Sequence, residues 1–335
     1  MAEVASLYET AGAAQLAKQP ARARPRATER NTPWAITQGH MQARLAMLTN
    51  WRFSWMQHWR LLETYLLPRR GIFINQTMPT PNTMNRGNPV NEAILDPTGT
   101  QAMRICAAGM MGGLMSPSRP WFKLKPAMAE RESLGDEVEN WFEEVEDRMY
   151  QVMARSNFYD SGAQMFEDLV TFGTAPVIIY EDEKDVIRCY NPCPGEYFAA
   201  SSSAFRVETL YRLFVLTISQ TVEMFGLENC PPNVQGLWQS KGGSLETEII
   251  IAHAIEPNFP IAGVSASEIL IVPGDFPWRE VYWVYGGASD RPLSKRGFKD
   301  PPFICPRWAV TSNDAYGRSA AMDALPDIIQ LQVET

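Results

Sequence analysis

Residues 95–124 read LDPTGTQAMRICAAGMMGGLMSPSRPWFKL, and this stretch limits what the chain can fold into more than any other. Asp96 followed by Pro97 signals a helix start. A short acidic side chain caps orphan N–H groups, and proline at the first helical position forfeits no hydrogen bond. The predicted helix then carries Ala102, Ala107, Ala108, Gly109, Gly112 and Gly113. Glycine costs a helix roughly 0.5–1 kcal/mol relative to alanine. So many small residues predict that another backbone lies very close. Residues 116–120, SPSRP, stop the helix, and Trp121 opens an extended segment. The stretch holds no nucleophile–base pair, metal-ligand set or phosphate loop, so it reads as a packing element.

The rest of the N-terminal half is also helical. Between residues 37 and 67, Leu45, Leu48, Trp51, Trp55, Trp59, Leu62 and Leu66 recur at spacings of three and four, which predicts one apolar stripe ended by Pro68. Three tryptophans in line could form a ligand cage, but at this spacing core or subunit interface is the preferred reading. Residues 135–155 give another amphipathic helix with Val138, Trp141, Val145, Met149 and Val152 on one side. Nine acidic residues fall between Glu130 and Asp147. Adjacent carboxylates such as Glu143 and Glu144 do not face each other on a helix, so a solvated face is expected rather than an acid–base pair. Asp160 is the expected cap of a further helix ending at Gly173.

After residue 174 the pattern changes. Residues 175–180 and 185–190 read as a hairpin around Glu181-Asp182-Glu183-Lys184. Further strands are expected at 207–216, 247–254, 280–285 and 303–310, with a short helix capped by Thr217 or Ser219 and ending at Gly226. Short strands between Gly/Pro turns predict a compact antiparallel sheet or small barrel. A last helix is expected from Ser319 despite Pro326. The fold class is therefore α+β, with a helical N-terminal half and a small antiparallel sheet or barrel in the C-terminal half.

Composition excludes several function classes. No segment approaches the ~18–20 apolar residues of a membrane span, and no apolar run follows a basic start as in a secretory signal. Five cysteines, an odd number, argue for free thiols. Three histidines, none at ligand spacing, leave zinc without a ligand set. A net charge of −8 disfavours tight non-specific DNA binding but does not disfavour a pore through which DNA must slide without sticking. Residues 20–30, PARARPRATER, carry four arginines and read as a solvated arm, the sharper alternative being an electrostatic tether. Residues 75–91, rich in Asn, Pro and Thr, read as a loop. No P-loop signature is present. Gly263-Val264-Ser265-Ala266-Ser267 lacks the closing glycine of a nucleophile elbow. His253, in TEIIIAHAI, is expected to be a satisfied core or half-exposed histidine. No catalytic, cofactor-binding or metal-binding residue is assigned.

Four blocks carry a resemblance. They are the small-residue helix with Ser116-Pro117-Ser118-Arg119-Pro120-Trp121-Phe122; Arg155-Ser156-Asn157-Phe158-Tyr159 with Phe166-Glu167-Asp168-Leu169 and Phe172-Gly173-Thr174-Ala175; Pro194-Gly195-Glu196-Tyr197-Phe198; and Arg307-Trp308 with Tyr316-Gly317-Arg318-Ser319. Together, and in this order, they resemble the head-to-tail connecting (portal) proteins of short-tailed bacteriophages. The resemblance implies a non-enzymatic virion protein without cofactors. It implies a homo-oligomeric ring, usually of twelve copies, at the capsid vertex, built in the host cytoplasm. Implied partners are major capsid and scaffolding proteins, the terminase packaging motor, tail adaptor proteins and, transiently and without sequence preference, double-stranded DNA. It divides the chain into an arm (1–36), a helical wing-like region (37–174), a β-rich wing-like region (175–318) and the start of a stem-like helix (319–335), with further stem, clip and crown expected beyond. Channel-lining and docking residues are not assigned. The alternative is another virion structural protein, such as a tail adaptor or minor head protein.

Overall fold

The structure, a computed structural model, describes residues 33–68, 70, 92–125, 136–240, 242–258, 272–287, 289 and 291–334. The Arg-rich arm, the 75–91 stretch and the Gly263–Ser267 motif lie outside the described residues.

The tryptophan-bearing stripe forms helix α1 (Pro33–Tyr65). Leu45, Leu48, Trp59, Leu62 and Leu66 are buried, whereas Trp51 is 57% exposed. Eight residues separate Trp51 from Trp59, about 80° more than two full turns of rotation, which carries Trp51 off the stripe. Trp55 packs on Trp59 with centroids 6.4 Å apart, so two of the three rings meet and no three-ring cage forms. Helix α2 (Thr98–Leu114) starts where the Thr98 N–H donates to Asp96 Oδ1 at 2.7 Å, with Pro97 at the boundary.

Helix α3 (Asp136–Arg155) is turned relative to the expected face. Val138, Val145 and Val152 of the expected face are partly covered, but Phe142, Tyr150 and Met153 are covered as well, while Trp141 and Met149 are exposed. The cause is Tyr150, whose hydroxyl accepts from the Trp121 and Phe122 N–H groups and donates to the Phe122 carbonyl, fixing the rotation of the helix. Helix α4 (Phe158–Phe172) is preceded by Asn157 rather than capped by Asp160, which sits in the first turn where a carboxylate suits the dipole. Gly173 ends it in the left-handed conformation, φ 78°.

The hairpin is present as β1 (Val177–Asp182) and β2 (Val186–Tyr190). A strand without a clear alternation signal, β3 (Tyr197–Ser201), pairs with β4 (Val207–Thr217). Thr217 closes a capping box with Gln220 to begin α5 (Ile218–Phe225), ended by Gly226. Helix α6 (Pro232–Ser240) follows. Then come β5 (Glu248–Pro257), β6 (Trp278–Val284), β7 (Ser294–Phe298) and the two-residue β8 (Phe303–Ile304). Beyond β8 the expected strand is reduced to isolated bridges at Arg307 and Ala309. Helix α7 (Ala320–Glu334) contains Pro326. Its start is fixed by Ser319, whose hydroxyl accepts from the Met322 N–H at 3.0 Å.

The strands form two open antiparallel sheets, β2-β1-β8 and β3-β4-β5-β6-β7, and neither closes into a barrel. α1 lies on one face of the larger sheet. Trp34, Met41, Leu45 and Leu48 meet Tyr211, Ala252, Ala254 and Trp283 there. The opposite face is shared. α5 and α6 cover one end, around Ile251 and Tyr282. At the other end Ile255 and Leu210 pack with Ile178, Phe303 and α7. β5, at the centre of the larger sheet, is covered on both faces from Ile251 to Glu256.

Candidate assembly interface

Three of the four sequence blocks meet at one joint. Gly173 N–H caps α4, and its carbonyl accepts from Trp308 N–H at 2.9 Å. The backbone of Gly317 passes so close that a Cβ on Gly173 would overlap it. Thr174 Oγ1 accepts from Gly317 N–H at 2.8 Å, and the Thr174 carbonyl accepts from the Tyr197 hydroxyl at 3.0 Å. Tyr316 Oη accepts from Ala199 N–H at 2.9 Å, and Ser319 Oγ donates to the Thr171 carbonyl at 2.8 Å. Arg52 of α1 ties the third block to this joint. Its Nη1 donates to the carbonyls of Gly195 (3.0 Å) and Tyr197 (2.6 Å), and its guanidinium lies 3.8 Å over the Phe198 ring. The motifs are therefore the fasteners that hold helices against sheets. In the first block, Arg119 Nη2 donates to the Gly112 carbonyl at 2.9 Å, satisfying the last turn of α2.

A network of ionisable groups, with Glu196, Arg212, His253 and Glu280 buried, lies between the two sheets. Arg212 Nη1 donates to Glu196 at 3.1 Å and Nη2 to the Tyr180 hydroxyl at 3.0 Å. Arg212 Nε donates to His253 Nδ1 at 2.9 Å, so the proton of the neutral ring sits on Nε2, facing Glu280 at 2.8 Å. The Tyr190 hydroxyl donates to Glu196 at 2.7 Å, and Tyr282 stacks on His253 with centroids 4.0 Å apart. Burial lowers the His253 pKa to about 4, against the opposing pull of Glu280. Burial pushes Glu196 above the usual carboxylate range despite Arg212. His253 is thus a satisfied core histidine. Both ring nitrogens are engaged and the ring is 1% exposed, so it has no free nitrogen to offer a substrate. The cysteines are free thiols. Among the described residues no three His, Cys, Asp or Glu side chains converge as metal ligands, and no described helix is long and apolar enough to cross a membrane.

The small-residue helix corrects the expectation drawn from it. α2 buries Met103 and Ala107 against Phe166 and Val170 of α4. Around Gly109, Gly112 and Gly113, however, no described atom lies within 4 Å of where a Cβ would stand. The glycines face outward, beside the 73% exposed Ile105, because Met103, Ala107 and Met111 take the packed side. Close approach occurs instead at Gly162 of α4, over Met115, and at Gly99, over Ile328 and Leu66. Trp51, Phe53 and Leu61 of α1 and Trp141 of α3 add further exposed apolar surface. Among the described residues, large apolar side chains thus stand exposed on several helices.

Comparison with known proteins agrees with this reading. The model of the family described as bacteriophage head to tail connecting protein matches residues 38–335. The chain is 38% identical over 292 residues to the probable portal protein of Bordetella phage BPP-1, covering 87% of this chain and 50% of that one. It is 39% identical over 292 residues to the portal protein of Salmonella phage epsilon15, with the same coverage. The chain thus spans about half the length of these curated relatives. With the family model matched over residues 38–335, the chain belongs to the bacteriophage head to tail connecting protein family.

Proposed function

We propose that this chain forms the ring-building part of a phage portal subunit, and that its role is architectural rather than catalytic. The carrying observation is the match over 87% of the chain to two proteins named as portals. The exposed apolar helix faces support it, since a subunit of a closed ring must keep such surface for its neighbours. Copies close head to tail into a ring, of twelve in the reading inherited from the family, around a channel for double-stranded DNA. The ring sits at one capsid vertex. Capsid and scaffolding proteins meet it during assembly in the host cytoplasm, and the packaging motor and tail adaptors dock on it. Residues 37–174 and 175–318 serve as the wing-like body, and residues 319–335 begin the stem-like helix. The net charge of −8 fits a channel wall that DNA passes without adhering.

Electron microscopy of the purified protein tests this. Closed rings with a central hole are the expected result. Tubes, shells or a uniform monomer under assembly conditions would instead favour a tail adaptor or minor head protein.

A further inference from the structure

Helix α1 has a second face that the described residues leave exposed. Met47, Trp51, Ser54, His58 and Leu61 are all exposed, at alternating spacings of four and three. That is the spacing of a helix seam made for another helix. Met47 is 48% exposed, Trp51 57% and Leu61 42%. α1 packs on α7 of its own copy through the other stripe, with Trp59, Leu62 and Leu66 against Leu325 and Ile328. The seam therefore points away from the core of its own copy.

Elsewhere on the chain lies a groove of about 440 Å³ between α2 and α7. Small residues, Gly99 and Ala102 on one side and Ala320, Ala321 and Ala324 on the other, line it together with the larger Leu66, Met103, Val170 and Ile328. The small residues let a helix backbone come close, and leave room for the large side chains it carries. The polar residues lining it are Thr98 and Asp327. A small-molecule site needs several convergent polar groups to orient its ligand, and this groove has few. Charge matches as well. α7 carries Asp323, Asp327 and Glu334 and no basic residue. Between Met47 and Leu61, α1 carries no acid, and Arg60 is exposed beside the seam.

We propose that the Met47–Leu61 seam of one copy lies in the α2/α7 groove of the next. A protruding seam and a receiving groove at different places on one chain are what a head-to-tail contact requires. The inference rests on the ring reading above and names the surfaces that close the ring. Nucleic acid is a poorer occupant for either surface, because three of the five seam residues are apolar and the groove is lined by one carboxylate, Asp327, and no basic residue.

The test uses the full chain with Cys106→Ser, to remove the exposed thiol. Ser54→Cys and Ala324→Cys are introduced together, and rings assembled from a mixture of isotope-labelled and unlabelled protein are treated with a short bismaleimide. The expected product is a peptide pair joining residues 54 and 324 from differently labelled copies, with higher multimers on denaturing gels and none from either single cysteine. In parallel, Trp51→Glu on the seam and Ala324→Trp in the groove should each reduce the ring fraction at least tenfold in native mass spectrometry, with the thermal midpoint of the monomer unchanged. Rings that form normally in both variants, or a 54–324 link confined to one copy or absent from intact rings, would overturn this pairing and leave the ring itself standing. If the unmodified chain assembles no rings at all, the ring reading fails and the pairing falls with it.

Discussion

The tightest local constraint is Gly173. Its φ of 78° disfavours any side chain, and the Gly317 backbone occupies the space where a Cβ would go. Gly173→Ala should therefore cost more than about 1 kcal/mol and lower the thermal unfolding midpoint, because strain and overlap act together. Arg212 is constrained by charge instead. Removing it leaves Glu196 buried and unpaired, so Arg212→Met should cost about 3–5 kcal/mol in denaturant unfolding. His253 gives a pH signature. Its folded pKa of about 4 lies below the ordinary histidine value of 6.5, so between those values the unfolded chain binds the extra proton. The contribution of the neutral ring to stability is complete above about pH 6.5 and is lost as pH falls towards 4. The difference in urea midpoint between the unmodified protein and His253→Gln should thus shrink on going from pH 7.5 to pH 5. A difference that stays constant across that range would refute the assignment.

At the scale of elements, α2 separates packing within a copy from packing between copies. Gly112 faces open space in its own copy, so Gly112→Leu should leave the monomer as stable or raise its stability by about 0.5–1 kcal/mol through helix propensity. Calorimetry of the monomer and ring yield by native mass spectrometry read the two effects apart. A fall in ring yield alone would show that a neighbour covers this face. A fall in monomer stability would show that the outward orientation is wrong. Caps explain why several boundaries fell where the sequence placed them. Thr217 with Gln220, Gly226 after α5 and Gly173 after α4 are local devices. The rotation of α3 was not legible, because a distant hydrogen bond, from the 121–122 backbone to Tyr150, chooses which side is buried. β3 was missed for a related reason. Tyr197, Phe198, Ala199 and Ala200 are all buried, so the strand shows no alternation, and its neighbours rather than its pattern define it.

At the scale of the whole molecule, net acidity and apolar helix faces point the same way. Binding to duplex DNA should be weak and should vanish by moderate salt, since few phosphates can be neutralised by a chain of charge −8. Fluorescence anisotropy with a labelled duplex across a salt series measures this. Tight binding that persists at high ionic strength would contradict a sliding channel and favour a nucleoprotein role.

The sequence by itself determined the α+β class, the caps and turns, and the blocks that mark the family, because these depend on short-range chemistry: a glycine with positive φ, a hydroxyl at a helix start, a stripe at helical spacing. Only the tertiary structure decided which faces stay open. Burial is a property of neighbours far along the chain. The same run of small residues could have faced a backbone within the copy or a space outside it, and Trp51 could have joined the core or stood clear of it. Long-range packing chose the outward option for both, and the face that bears Trp51 is one of the two surfaces on which the contact between copies is proposed to depend.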